Sequence, residues 1–124
     1  HNVVGGTVPG DTNLISGNIS GLKMGSNSTV WGNFIGTDFS GSAAIPNQTG
    51  ISVQAASYVL IGGTGTGQSN LISGNSNAGI IISITISGSS GEVTEICIMV
   101  PSSIAVEAIT LLIGPNLKVR KVQV

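Results

Sequence analysis

Residues 60–75 read LIGGTGTGQSNLISGN, and residues 3–18 read VVGGTVPGDTNLISGN. Aligned at an offset of 57 residues, the two segments are identical at 10 of 16 positions. A shorter copy of the kernel, NFIGT, occupies residues 33–37 between them. The shared pattern is an asparagine, two apolar residues and a glycine. Such self-similarity predicts a repeat protein, in which each unit buries its apolar side chains against its neighbours.

The apolar stretches of residues 1–83 are too short for helices. They are pairs and triplets separated by Gly, Asn, Ser and Pro, which is the pattern of short strands bounded by turns. Strands at this spacing also fit an antiparallel sandwich. The repeat favours three-sided coils of parallel strands instead, because its 57 residues hold six strand steps, or two such coils. The predicted fold class is therefore all-β: a short parallel β-helix of about three coils.

The asparagines of the kernel are expected to support this stack. Equivalent positions of successive coils lie about 4.8 Å apart, so each side chain contacts its own counterpart. Asn13, Asn33 and Asn70 are therefore predicted to form an inward ladder at one corner, with their amides bonded along the stack. Glycines supply the positive φ angles at the corners between faces.

Three segments, NLISGN, GNFIGTD and IGGTGTGQSNLISGN, resemble the repeats of bacterial right-handed parallel β-helix proteins. The relevant branch of that pectate-lyase-like superfamily is cell-surface and secreted. The resemblance covers about residues 2–83 and implies a right-handed helix, in agreement with the usual hand of parallel crossovers. It also implies an extracellular or cell-surface location in a bacterium. Family members are adhesin-like proteins or polysaccharide lyases and hydrolases, so the resemblance specifies the repeat more than the activity.

Composition excludes several classes of partner. The chain has 124 residues with only 4 Lys and Arg and a net charge of −1, which removes the electrostatic basis for binding nucleic acid or anionic lipid. No run of 18 apolar residues is present, so no membrane-spanning helix is expected. Cys97 is the single cysteine, and no internal disulfide can form.

No cofactor or metal is predicted. The glycines of residues 62–67 are followed by the next strand rather than by a helix, which favours a corner loop over a nucleotide-binding loop. The lyases of the resembled superfamily use calcium held by clustered carboxylates. Before residue 90 this chain offers only Asp11 and Asp38, with Lys23 as the sole base, so the lyase pattern does not carry over.

Candidate functional residues are few, and no catalytic residue is assigned. Trp31 and Tyr58 are 27 residues apart, close to one coil, and are predicted either to form a sugar-stacking surface or to fill the core. Asp38 is interpreted as a corner cap that bonds local N–H groups, or as one acid of a hydrolase. The hydrolase would need a second acid from the tail, which carries Glu92, Glu95 and Glu107.

Residues 84–124 break the repeat, since the asparagine kernel never recurs there. Their longer apolar runs predict β-structure, with a hairpin of residues 109–113 and 117–119 around a turn at residues 114–116; a short helix over 103–113 is the alternative. This segment is expected to cap the core or to drive self-association as a dimer or trimer.

Two functional hypotheses follow from the sequence. The first is a structural or carbohydrate-binding module of an extracellular bacterial protein, whose partner is a second copy of the chain or a polysaccharide. The alternative is a weak glycoside or ester hydrolase with acidic residues between the repeats and the tail.

Overall fold

The structure is a computed structural model that describes residues 1–54, 56 and 58–83, together with the backbone of residue 84 and of two later strands. The described residues form strands and no helix, so the all-β prediction is confirmed for this part of the chain. The strands are β1 (Asn2–Val4), β2 (Leu14–Ile15), β3 (Ser20–Met24), β4 (Ser28–Val30), β5 (Phe34–Ile35), β6 (Thr49–Gln54), β7 (Val59–Ile61), β8 (Leu71–Ile72), β9 (Ala78–Ile84), β10 (Ile96–Ile98) and β11 (Ile109–Ile113).

All of these strands pair in parallel, in three sheets. Sheet I has the order β1-β4-β7-β10, sheet II the order β2-β5-β8, and sheet III the order β3-β6-β9-β11. From β1 to β9 the chain enters sheets I, II and III in turn, and each of β1 to β7 pairs with the strand three elements further along. Parallel neighbours need a long crossover, and the two intervening strands provide it.

One apolar cluster draws buried side chains from all three sheets. Because successive side chains of a strand point to opposite faces, each register column lies wholly inside or wholly outside. Leu22, Ile51 and Ile80 form one inward column of sheet III. The buried apolar residues are Met24, Val30, Ile35, Ile51, Val53, Ala56, Val59, Ile61, Ile72, Ala78, Ile80 and Ile82. Most are β-branched, which suits close packing between pleated sheets.

Each pass of the chain through sheets I, II and III carries one long loop, and the position of this loop alternates from one pass to the next. This alternation explains the length of the sequence repeat. In the first and third passes, residues 7–12 and 64–69 form loops between sheets I and II, whereas the second pass has no loop there. That pass carries its own loop, residues 37–46, between sheets II and III. Two passes through the sheets therefore make up one 57-residue sequence repeat.

The glycine-rich segment 62–67 is a corner loop that leads into strand β8. Gly67 has φ +75° and lies so close to the Thr7 backbone that a Cβ there would overlap the Thr7 carbonyl oxygen. The loops 7–12 and 64–69 thus pack on each other across the pass that lacks a loop. This close approach and the left-handed backbone both require glycine at position 67.

Most of the predictions for residues 84–124 lie outside the described residues. The backbone of residues 109–113 is a strand parallel to β9, as predicted in preference to a helix, and β10 is parallel to β7. The turn at residues 114–116 and the second hairpin strand at 117–119 are not among the described residues. The described residues contain no helix of the length and apolar character that a bilayer crossing requires.

Candidate functional site

The structure places Asn13, Asn33 and Asn70 in one hydrogen-bonded row between sheets I and II. Asn13 Nδ2 donates to Asn33 Oδ1 at 2.9 Å, and Asn33 Nδ2 donates to Asn70 Oδ1 at 3.2 Å. The sequence separations along the row are 20 and 37 residues, because only the second step contains loops, at residues 37–46 and 64–69. Asn33 also donates to the carbonyl oxygens of Val4 and Trp31, so its amide binds both the preceding coil and the backbone of its own corner.

Sequence reasoning missed a second row between sheets II and III, formed by Asn18, Asn47 and Asn75. Asn18 Nδ2 donates to Asn47 Oδ1 at 3.1 Å, and Asn47 Nδ2 donates to Asn75 Oδ1 at 3.0 Å. Asn18 and Asn75 are identical positions of the duplicated segment and carried the signal. Asn47 did not stand out, because the loop of residues 37–46 separates it from its kernel.

The buried asparagines of both rows are structural rather than ligand-binding. Asn33 and Asn47 are fully buried, and no buried side-chain nitrogen or oxygen atom of the described residues lacks a hydrogen-bond partner. A buried amide with all its bonds made inside the protein has nothing left to offer a ligand.

The outer face of sheet II is apolar, and it is the surface on which the candidate site is built. Leu14, Phe34 and Leu71 form its outward register column, opposite the buried column of isoleucines. Leu14 is exposed, whereas Phe34 and Leu71 are half-buried. A row of outward leucine and phenylalanine side chains makes an apolar surface patch, which requires a cover or a partner.

Residues 37–46, here called the Phe39 loop, cover part of this face. Thr37 and Ala44 form an antiparallel bridge at the base of the loop. The Asp38 N–H donates to the Ala43 carbonyl oxygen at 2.8 Å, closing the loop from within. Gly41 lies against the Leu71 side chain, so close that a Cβ at position 41 would lie 2.7 Å from Leu71 Cδ2. The loop therefore folds back over sheet II.

The Asp38 carboxylate holds the Phe39 loop together. Ser40 Oγ donates to Asp38 Oδ2 at 2.7 Å, and the backbone N–H groups of Ser42 and Ala43 donate to Oδ1 at 3.1 Å each. These bonds, with that from Ser40 the largest cause, favour the ionised form and lower the pKa of Asp38. A general acid at neutral pH needs a raised pKa, so this environment suits a loop clamp rather than a proton donor.

Phe39 is the most exposed aromatic ring of the described residues. It is 67% exposed, and its ring meets the Phe34 ring edge to face, with centroids 5.9 Å apart and an interplanar angle of 61°. This geometry is a favourable aromatic pairing. Phe34 on the rigid sheet therefore fixes the orientation of Phe39, which presents an apolar surface in the same loop as Ser40 and Ser42.

The structure does not bring Trp31 and Tyr58 together. Trp31 follows β4 and lies level with Gly62, whereas Tyr58 precedes β7 and lies level with Asn27. Their backbones are four residues apart along the strand direction, or about 13 Å. Trp31 is half-buried, while Tyr58 is exposed in the left-handed region at φ +56°. A continuous stacking surface of these two rings is not formed, and neither ring fills the core.

Groups for catalysis are sparse in the part of the chain that the structure describes. No three His, Cys, Asp or Glu side chains are grouped there in a way that could hold a metal ion. Glu92, Glu95 and Glu107, the acids that the hydrolase hypothesis would add to Asp38, lie outside the described residues.

Comparison with known proteins adds no relative. A scan against protein-family models, a search of curated proteins and a search of solved structures each found no match.

Proposed function

We propose that residues 1–83 form a short right-handed parallel β-helix of about three coils, which serves an extracellular or cell-surface bacterial protein as a structural or carbohydrate-binding module. The rotation of the strands through three parallel sheets and the two asparagine rows support the β-helix. The hand and the location rest on the resemblance of the repeats to those of the bacterial family.

The observation that carries carbohydrate binding is the exposed, oriented ring of Phe39. A sugar ring has an apolar face that packs on an aromatic ring, while its hydroxyl groups seek polar partners. Phe39 offers the ring, and Ser42 Oγ, which donates to Ser40 Oγ, still offers acceptor positions; Ser40 Oγ is taken up by Asp38 and Ser42. Because Asp38 and Phe34 already order the loop, binding would cost little conformational entropy.

Affinity electrophoresis in gels containing single plant or bacterial polysaccharides tests this proposal. The intact chain is expected to be retarded by at least one polymer, and Phe39→Ala is expected to abolish the retardation. Ile19→Ala is the matched control, because Ile19 is an apolar side chain that is 81% exposed and lies outside the loop. Retardation that survives Phe39→Ala would contradict the site. The absence of retardation in every polymer would leave the structural role alone.

Tyr58→Ala tests the remaining sequence-based candidate in the same gels. Tyr58 is exposed but lies before β7, on sheet I, and is not part of the Phe39 loop. Retardation is expected to persist in this variant. Loss of retardation in Tyr58→Ala, with retention in Phe39→Ala, would move the binding site to sheet I.

The described residues do not favour the hydrolase hypothesis. All three hydrogen bonds of the Asp38 carboxylate are made to groups of its own loop. A panel of chromogenic esters and glycosides, run with the intact chain and with Asp38→Asn, still tests the hypothesis directly. Activity that Asp38→Asn abolishes would restore it.

Self-association through residues 84–124, as a dimer or trimer, remains a prediction of the sequence. Sedimentation velocity on the intact chain tests it, and the expected result is a species of two or three chains at tens of micromolar protein. A single monomeric species at that concentration would contradict it.

A further inference from the structure

Both asparagine rows have the same polarity. In the first row, the backbone N–H and the Nδ2 of Asn13 both donate to Asn33 Oδ1, and those of Asn33 donate to Asn70 Oδ1. The second row repeats this pattern with Asn18, Asn47 and Asn75. Each Oδ1 therefore takes its two donors from the asparagine one position nearer the N-terminus.

Asn13 and Asn18, the asparagines at the N-terminal ends of the two rows, each have a side-chain oxygen that accepts no hydrogen bond from any residue that the structure describes. Among the described residues, no group donates to the Oδ1 atom of Asn13 or of Asn18. Both side chains are exposed, whereas their counterparts Asn33 and Asn47 are fully buried by a neighbour on each side. The same coil ends the core, where Val4, Ile15 and Leu22 are only partly buried.

We propose that this N-terminal face, formed by Val4, Asn13, Ile15, Asn18 and Leu22, is an acceptor surface for a further coil of the same repeat type, running parallel to the first coil. The asparagines of that coil would donate to Asn13 and Asn18 as Asn33 donates to Asn70. This inference rests on the proposed structural role and names the partner that the module accepts.

Residues 84–124 of a second copy do not supply such a coil. The segment of residues 84–124 has a single asparagine, Asn116. It lacks the two asparagines, one at each corner, that the acceptors at Asn13 and Asn18 require. A coil with the repeat kernel supplies both.

The loops specify which coil type fits. The first pass carries the loop of residues 7–12, and the loop-bearing passes alternate with passes that lack it. The incoming coil is therefore of the second-pass type, as in residues 28–53, which leaves the corner beside residues 7–12 unobstructed.

A fusion tests the acceptor face. A second copy of residues 28–53, followed by the turn sequence Gly25-Ser26-Asn27, is placed before Asn2 of the full chain. The matched control carries Asn33→Ala and Asn47→Ala in the added copy alone. Thermal unfolding and limited digestion by thermolysin, with the cleavage sites read by mass spectrometry, are then compared with those of the unfused chain.

The added copy is expected to resist thermolysin as well as residues 1–84 do, and to raise the unfolding midpoint by about 5 °C or more. The control is expected to lose both effects. Rapid digestion of the added copy with an unchanged midpoint would overturn the inference, as would equal protection in the control. The unfused chain is measured alongside, and no polysaccharide is present, so this outcome is independent of the carbohydrate proposal.

Discussion

Replacing Asn33 by alanine is expected to be among the most damaging polar substitutions in the chain. Asn33 is fully buried, and its side chain takes part in five hydrogen bonds. Its Oδ1 accepts from the N–H and the Nδ2 of Asn13, and its Nδ2 donates to the oxygens of Val4, Trp31 and Asn70. Alanine removes all five bonds and leaves their partners inside a corner that its side chain no longer fills.

The size of the loss follows from those partners. A net hydrogen bond contributes about 0.5–1.5 kcal/mol, but several of these bonds share a donor or an acceptor. The Val4 oxygen keeps the Trp31 N–H as a donor at 3.1 Å, which limits the penalty there. We therefore expect Asn33→Ala to lower the free energy of unfolding by about 3–5 kcal/mol.

Asn13→Ala is the matched control, because Asn13 stands at the exposed end of the same row. Its side chain makes one bond, to Asn33 Oδ1, which would still accept from the Asn13 backbone N–H. The expected loss is about 0.5–1 kcal/mol.

Urea unfolding followed by far-ultraviolet circular dichroism measures both variants. With a urea slope of about 2 kcal/mol per molar, Asn33→Ala is expected to lower the midpoint by about 2 M, and Asn13→Ala by less than about 0.5 M. Two equal shifts would refute the account of the buried row, because they would show that burial and the number of bonds do not determine the cost.

Two further predictions concern a stacked glycine and a loop carboxylate. Gly50→Ala places a Cβ 2.5 Å from the Gly79 carbonyl oxygen and is expected to lower the free energy of unfolding, measured by calorimetry, by about 1–3 kcal/mol. In the control Gly25→Ala, the added Cβ has no neighbour within 4 Å, and the variant is expected to be neutral or slightly stabilising. Equal effects of the two substitutions would contradict the close stacking of the coils. Because hydrogen bonds lower the pKa of Asp38 in the folded chain, the stabilisation they give is present at neutral pH and is lost as the pH falls through that lowered value. A carbon-13 titration should show an Asp38 pKa below the usual carboxyl range, and Ser40→Ala should raise it. An ordinary pKa would contradict the role of Asp38 in holding the Phe39 loop together.

The sequence was informative where positions repeat without interruption. The duplicated segments carry their asparagine, two apolar residues and glycine in constant order, and this order was enough to predict short strands and the row of Asn13, Asn33 and Asn70. A local kernel of this kind is readable because each residue has one environment, set by the same position in the next coil.

Spacing failed where loops change the length of a pass. Trp31 and Tyr58 are one average coil apart in sequence, but the register between β4 and β7 pairs Val30 with Ile61, so the two rings lie at opposite ends of their strands. The inserted loop likewise hid Asn47 from its row.

The pairing of Phe39 with Phe34 could not be predicted from the sequence. A phenylalanine in a loop gives no sign of its direction, and this one is directed by the fold of the loop. The bridge between Thr37 and Ala44, the bonds of Asp38 and the position of Phe34 on the sheet together turn the loop back over sheet II.

Interstrand nuclear Overhauser effects on the isotope-labelled chain test most directly whether parallel coils are stacked. Stacked parallel coils would give contacts of Phe34 with both Leu14 and Leu71, and of Ile51 with both Leu22 and Ile80, in the pattern of parallel strands. An antiparallel sandwich would instead show strong contacts between Hα atoms of facing strands, together with hairpin contacts between strands adjacent in sequence. That second pattern would contradict the stack, the asparagine rows and the acceptor face built on them.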